Sequence, residues 1–129
     1  FIAEARRTRK LFGGGMRQVG IVAAPALLAL ENVDRLAEDH ERARRLAAGV
    51  DDVEGLAAPG PETNIVMVDT AGLGVSAAEL VAACEERGVG GAEFGEHRVR
   101  FCTHLDVDDG DVDAAVERIR EAARDVGST

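Results

Sequence analysis

Two groups of residues in this chain have the types and spacing to handle anions. The first is Arg9-Lys10 followed by Gly13-Gly14-Gly15-Met16-Arg17-Gln18. Three consecutive glycines carry a large entropic cost in any regular element, so they mark a flexible, amide-rich turn. Such a turn at a helix N-terminus can offer backbone N–H groups to an anion, with Lys10 and Arg17 closing around it. A glycine hinge between two helices accounts for the same residues. Neither phosphate signature fits. A P-loop needs Gly-Lys-Ser/Thr where Gly15-Met16-Arg17 stands, and a dinucleotide fingerprint needs a preceding strand. The second group is Arg98 and Arg100, two apart in a strand-like run and hence on one face. A guanidinium projecting from a sheet suits bidentate capture of a carboxylate. An exposed strand face with both arginines in water fits the same pattern, and the residues alone leave the two readings open.

Other candidate chemistry is weaker. Placing Asp106 first in a calcium loop puts Gly110 and Asp111 where a ligand and an obligatory glycine belong, so helix capping explains this acidic run better. His40, His97 and His104 are scattered, without metal-ligand spacing, and no metal is expected. Cys102 and His104 share a strand face but lack a third orienting group, so core packing is favoured over a thiol nucleophile.

The elements that must position these residues can be read from periodicity. Residues 2–11 read as the end of a basic amphipathic helix, and 16–31 as an apolar helix that should be buried between elements or subunits. Pro25 should kink or break it, because proline lacks the N–H and crowds the preceding turn. Residues 33–49 read as a polar helix with Leu36, His40, Ala43 and Ala47 on its stripe, and His40 as a buried structural residue. Residues 63–69 read as a buried strand. Ser76-x-x-Glu79 is a capping box, opening a helix that closes at Gly88. A short extended piece near 91–94, a strand over 98–103 and a helix from the Asp108-x-x-Asp111 cap to about Arg124 complete the order. Linking helices followed by β-α-β-β-α predict a small α+β domain, one sheet with two helices on one face. The expected division is 1–49 for the end of a larger domain with its linking helices, and 50–129 for the small domain.

Composition narrows the classes. The net charge is -9, yet residues 1–18 hold five strong cations against Glu4, a local +4 that leaves -13 elsewhere. Such a chain is a poor partner for nucleic acid, which needs an electropositive face. No apolar run is long enough to span a membrane, and none is expected to. With 46% hydrophobic residues but only 3% aromatic, the core must be aliphatic, with Phe12, Phe94 and Phe101 as its bulky members. Cys84 and Cys102 form no framework and read as small core hydrophobes in a reducing compartment, hence a cytoplasmic protein. Scarce lysine among many acids gives it a halophile-like character. So functional a segment close to Phe1 leads us to expect a C-terminal piece of a longer protein.

The run Phe1-Ile2-x-x-Ala5-x-x-x-Arg9-Lys10-x-x-Gly13-Gly14-Gly15-Met16-Arg17-Gln18-x-Gly20-Ile21-x-Ala23-Ala24 closely resembles the low-specificity L-threonine aldolases. Leu36-x-Glu38-Asp39-His40, Thr63-Asn64 and Arg100-x-x-Thr103-His104-Leu105-Asp106-Val107 extend the resemblance in order over essentially the whole chain. It implies an α/β pyridoxal-phosphate enzyme of the aspartate-aminotransferase fold type, PLP-dependent transferase-like, cleaving L-threonine or L-allo-threonine to glycine and acetaldehyde. The resemblance places the cofactor-holding lysine and the catalytic histidines upstream, so this chain should hold no catalytic residue and be inactive alone. It assigns Arg100 to the substrate carboxylate, and Lys10 and Arg17 to the neighbourhood of the cofactor phosphate. It also implies a missing N-terminal large domain and a homo-oligomer, a homotetramer. Pro25 departs from the family, which continues Ala or Gly there. Two alternatives are another aldolase or lyase of the same fold type, and a stand-alone anion- or amino-acid-binding α+β module.

Overall fold

The computed structural model describes residues 1–128, so Thr129, the last residue of the expected small domain, lies outside the described residues. The chain divides into two compact units, Phe1–Asp34 and everything from Arg35 onward.

The first unit holds α1 (Ile2–Leu11) and α2 (Gly20–Glu31). Glu4 in the first turn of α1 and Arg9 and Lys10 in its last complement the helix dipole. α2 begins later than the expected residue 16, because residues 17–19 form a turn and Gln18 adopts a left-handed φ of +50°. Pro25 does not break it. The helix runs through, losing only the one backbone bond that a residue-25 N–H would have made. No residue of α1 or α2 is buried within this chain, and Ile21 is 76% exposed, so no element of this chain covers the apolar α2.

The second unit is the α+β sandwich. α3 (Leu36–Asp51), β1 (Ile65–Asp69), α4 (Ala77–Glu85), β2 (Ala92–Glu93), β3 (Arg98–Cys102) and α5 (Asp109–Gly127) follow in order, with short 3-10 turns at Val33–Arg35 and Ala71–Leu73. The sheet is antiparallel with order β1-β3-β2, so β3 is central. Period two turns Val66, Val68, Val99 and Phe101 inward and leaves Ile65, Arg98, Arg100 and Cys102 exposed. Two helices lie on the sheet, but they are α3, on β1, and α4, on β2 and β3, and α5 packs in turn on α3 and α4. The buried seam of α3 is Asp39, Ala43, Leu46, Ala47 and Val50; Leu36 is exposed and His40 only half-buried. Small residues there let α5 come close: a Cβ on Gly49 would stand 2.7 Å from the Val116 methyl carbons.

Both expected capping boxes form. The Ser76 hydroxyl accepts from the Glu79 N–H at 3.3 Å and the Glu79 carboxylate accepts from the Ser76 N–H at 2.8 Å, while the Ser76 hydroxyl bond holds the Glu79 carboxyl below its ordinary range. Asp108 and Asp111 make the reciprocal bonds at 2.9 and 3.0 Å. α4 closes through Gly88 at φ +75°, with the Val89 N–H donating to the Cys84 carbonyl.

Three core assignments change. Of the three phenylalanines expected in the core only Phe101 is buried; Phe12 is 83% and Phe94 57% exposed. Phe12 lies in the first unit, where nothing is buried, and Phe94 follows the two-residue edge strand β2. Cys102 is exposed, because it shares the face of Arg98 and Arg100, whereas Cys84 is buried. Burial pushes the Cys84 thiol up to about 11. In the 129-residue chain, a thiol reagent should therefore modify Cys102 promptly and Cys84 only in denaturant, which a timed disulfide-exchange assay would read. Equal rates for the two thiols would contradict the buried α4 face. Because the folded-state value is the raised one, this thiol's contribution to stability is intact below its ordinary value near 9 and lost as pH rises through about 11.

Candidate functional site

Arg100 sits at the middle of the central strand, opposite Met67 on β1 and Ala92 on β2. Ladders on both sides fix its Cα, and Val99 and Phe101 lock the strand onto the helices. Its side chain stands on the face that the helices leave open. The charge environment distinguishes it from most arginines of the helical layer. Arg35 binds Asp39 at 2.7 Å, Arg42 binds Asp109 at 2.9 Å, Arg45 binds Asp113 at 2.7 Å, and Arg87 binds Asp125. The Asp109 hydrogen bond raises Arg42 further above its ordinary value. The side chains of Arg98 and Arg100, in contrast, make no hydrogen bond or ion pair with any described residue. Asp69, directly across the ladder from Arg98, instead accepts from the Ala71 N–H at 2.8 Å. A free guanidinium fork on a rigid strand, flanked by Met67 and Ala92, is prepared to take a planar anion in bidentate fashion.

The end of β3 is held by residues whose spacing gave no functional signal. Thr103 is buried, and its hydroxyl donates to the Asp39 carbonyl of α3 at 2.6 Å. Its N–H donates to the Asn64 carbonyl at 3.0 Å, and its carbonyl accepts from Asn64 Nδ2 at 2.7 Å. Cys102 and His104 do not pack in the core: both are exposed, and His104 Nδ1 accepts from the Asp106 N–H at 3.3 Å. Among the described residues no group of three or more His, Cys, Asp or Glu could hold a metal ion.

The glycine segment has a different role from the one expected at a helix N-terminus. The Gly13 N–H donates to the Lys10 carbonyl at 3.2 Å and the Gly14 N–H to the Arg9 carbonyl at 2.8 Å, so these two amides close α1. Gly13 has φ +82°, and a Cβ on Gly14 would stand 2.9 Å from the Arg9 carbonyl oxygen, so both positions need glycine. The N–H groups of Gly15, Met16 and Arg17 make no hydrogen bond among the described residues. The stem of Lys10 passes 3.4 Å from where a Gly15 Cβ would be, and the side chains of Lys10 and Arg17 are unpaired among the described residues. Free cations beside free amides suit a phosphate. Lys10 is the single lysine of the chain.

The model of the beta-eliminating lyase family matches residues 1–72. The chain is 41% identical over 117 residues to the probable low-specificity L-threonine aldolase 2 of Arabidopsis thaliana, spanning 88% of this chain and 33% of that protein. It is 34% identical over 126 residues to low-specificity L-threonine aldolase 1 of the same plant, spanning 95% and 35%. The chain thus spans about a third of the length of these curated relatives. A solved transaminase with L-ala superimposes with a TM-score of 0.70 over 95% of this chain and 31% of that one, at 24% identity, which establishes the fold.

Proposed function

The chain belongs to the beta-eliminating lyase family, and from that membership we propose that it is the C-terminal portion of a threonine aldolase, cleaving L-threonine or L-allo-threonine to glycine and acetaldehyde. Family and fold imply pyridoxal phosphate as the cofactor. The observation that carries the reading is the unpaired guanidinium of Arg100 on the open face of a sheet whose strand is fixed on both sides.

Arg100 binds the substrate carboxylate through two parallel N–H bonds. This fixes the rotation of the amino acid about its Cα, and with it the direction of the Cα–Cβ bond that must break. Pyridoxal phosphate, when bound, supplies the electron sink that accepts the electrons of that bond. Lys10 and Arg17, with the free amides of residues 15–17, hold the phosphate. No residue of this chain is assigned the covalent attachment or the proton transfers, which belong to the upstream portion. The exposed apolar α2 supports a homo-oligomer, and two free cysteines favour a cytoplasmic protein.

Expressed behind its upstream coding region and supplied with pyridoxal phosphate, the chain should release acetaldehyde from L-threonine. The 129-residue chain alone should release none. Turnover by the short chain, or none by the joined protein, would sink the aldolase reading.

A further inference from the structure

A buried threonine immediately after β3 is an odd choice if packing were its purpose. Thr103 is 1% exposed, and valine has the same shape without a hydroxyl to desolvate. Its hydroxyl instead makes a 2.6 Å bond to the Asp39 carbonyl, 64 residues away in sequence. With both backbone groups bonded to Asn64, every polar atom of Thr103 is engaged. The acceptor is anchored in turn. Asp39 is 5% exposed, and its carboxylate pairs with Arg35 at 2.7 Å and Arg42 at 3.7 Å, while Arg42 reaches Asp109 at the start of α5. One side chain, three residues from Arg100, thus joins the central strand to the helical layer. Apolar packing is non-directional and tolerates sliding of a strand along its axis, whereas a short hydrogen bond has a preferred length and angle.

We propose that Thr103 is a positioning residue for Arg100. Its bond to α3, together with the Asn64 bonds, sets where β3 stops along its axis, so that both N–H donors of the guanidinium align with a carboxylate. The proposal rests on the carboxylate-binding reading of Arg100. Bidentate geometry is lost with displacements well under the spacing between residues, so a small slide is felt in substrate binding before it is felt in folding.

The test uses the chain joined to its upstream portion, with T103V, T103S, N64A and R100A compared in steady-state kinetics on L-threonine. T103V should raise KM about three- to tenfold, the equivalent of one hydrogen bond, with kcat nearly unchanged. T103S, which keeps the hydroxyl, should restore KM. In the 129-residue chain, amide hydrogen exchange at Arg100 and Phe101 should quicken in T103V and not in T103S. A lowered Tm with unmoved KM, or T103S behaving as T103V does, would overturn the positioning role. Should T103V not fold, N64A decides: it removes the bond to the Thr103 carbonyl, and an unchanged KM refutes the proposal. R100A separates the two ideas. If it leaves KM intact, the reading of Arg100 is wrong and the proposal falls with it; if it impairs binding while T103V does not, only the positioning role fails.

Discussion

On the proposed aldolase reading, replacing Arg100 with alanine in the chain joined to its upstream portion is expected to lower kcat/KM for L-threonine by about 10²- to 10³-fold. Removing one partner of a hydrogen-bonded charge pair leaves the substrate carboxylate without its counter-charge and without its orienting fork. Arg100→Lys keeps the charge but replaces the planar fork with a point donor, so its loss should be intermediate. Neither change should unsettle the domain. The Arg100 side chain is exposed and bonds to no described residue, and surface substitutions of that kind stay within about 0.5 kcal/mol. Steady-state kinetics paired with thermal unfolding checks both halves. Unchanged kinetics would remove Arg100 from the site, and a large drop in Tm would mean that its role is structural.

The second large effect is on stability. Leu80 on α4 is 0% exposed and belongs to the cluster containing Val66, Val99, Phe101 and Ile119. Leu80→Ala should destabilise the second unit by about 2–5 kcal/mol, combining lost burial with the cavity left behind. For a unit of this size that corresponds to a fall in Tm of roughly 10–30 °C, read by calorimetry on the 129-residue chain. An aliphatic core with one buried phenylalanine has few bulky groups to fill the gap, so the upper part of the range is expected. A fall of only about 2 °C would mean that α4 is not packed on the sheet as described.

Several features were legible without a structure because they are local. The two capping boxes, Gly88 at the end of α4 and the alternation of Arg98–Cys102 depend on residues within one turn or one pleat of each other. The order of helices and strands, the fold class and the family resemblance could be read in the same way, and the comparisons bear out the latter two. Features that depend on distant partners could not be read. On α3 the expected stripe holds at Ala43 and Ala47 but not at Leu36 and His40, because Asp39, a charged residue, is buried with Arg35 and Arg42 as its partners and its carbonyl accepting from Thr103. Cys102 and Phe94 were placed in the core by residue type, whereas the pleat and the edge strand put them in the open.

The sequence by itself determined which segments are helix or strand, the caps that open α4 and α5, and that Arg98 and Arg100 share a face, since backbone sterics and capping act over a few residues. Only the tertiary structure decided that β3 is the central strand, that its two arginines find no acid while those on α3 do, and that the Thr103 hydroxyl meets the Asp39 carbonyl. Those outcomes turn on which distant groups arrive within hydrogen-bonding distance, and packing rather than local preference settles that.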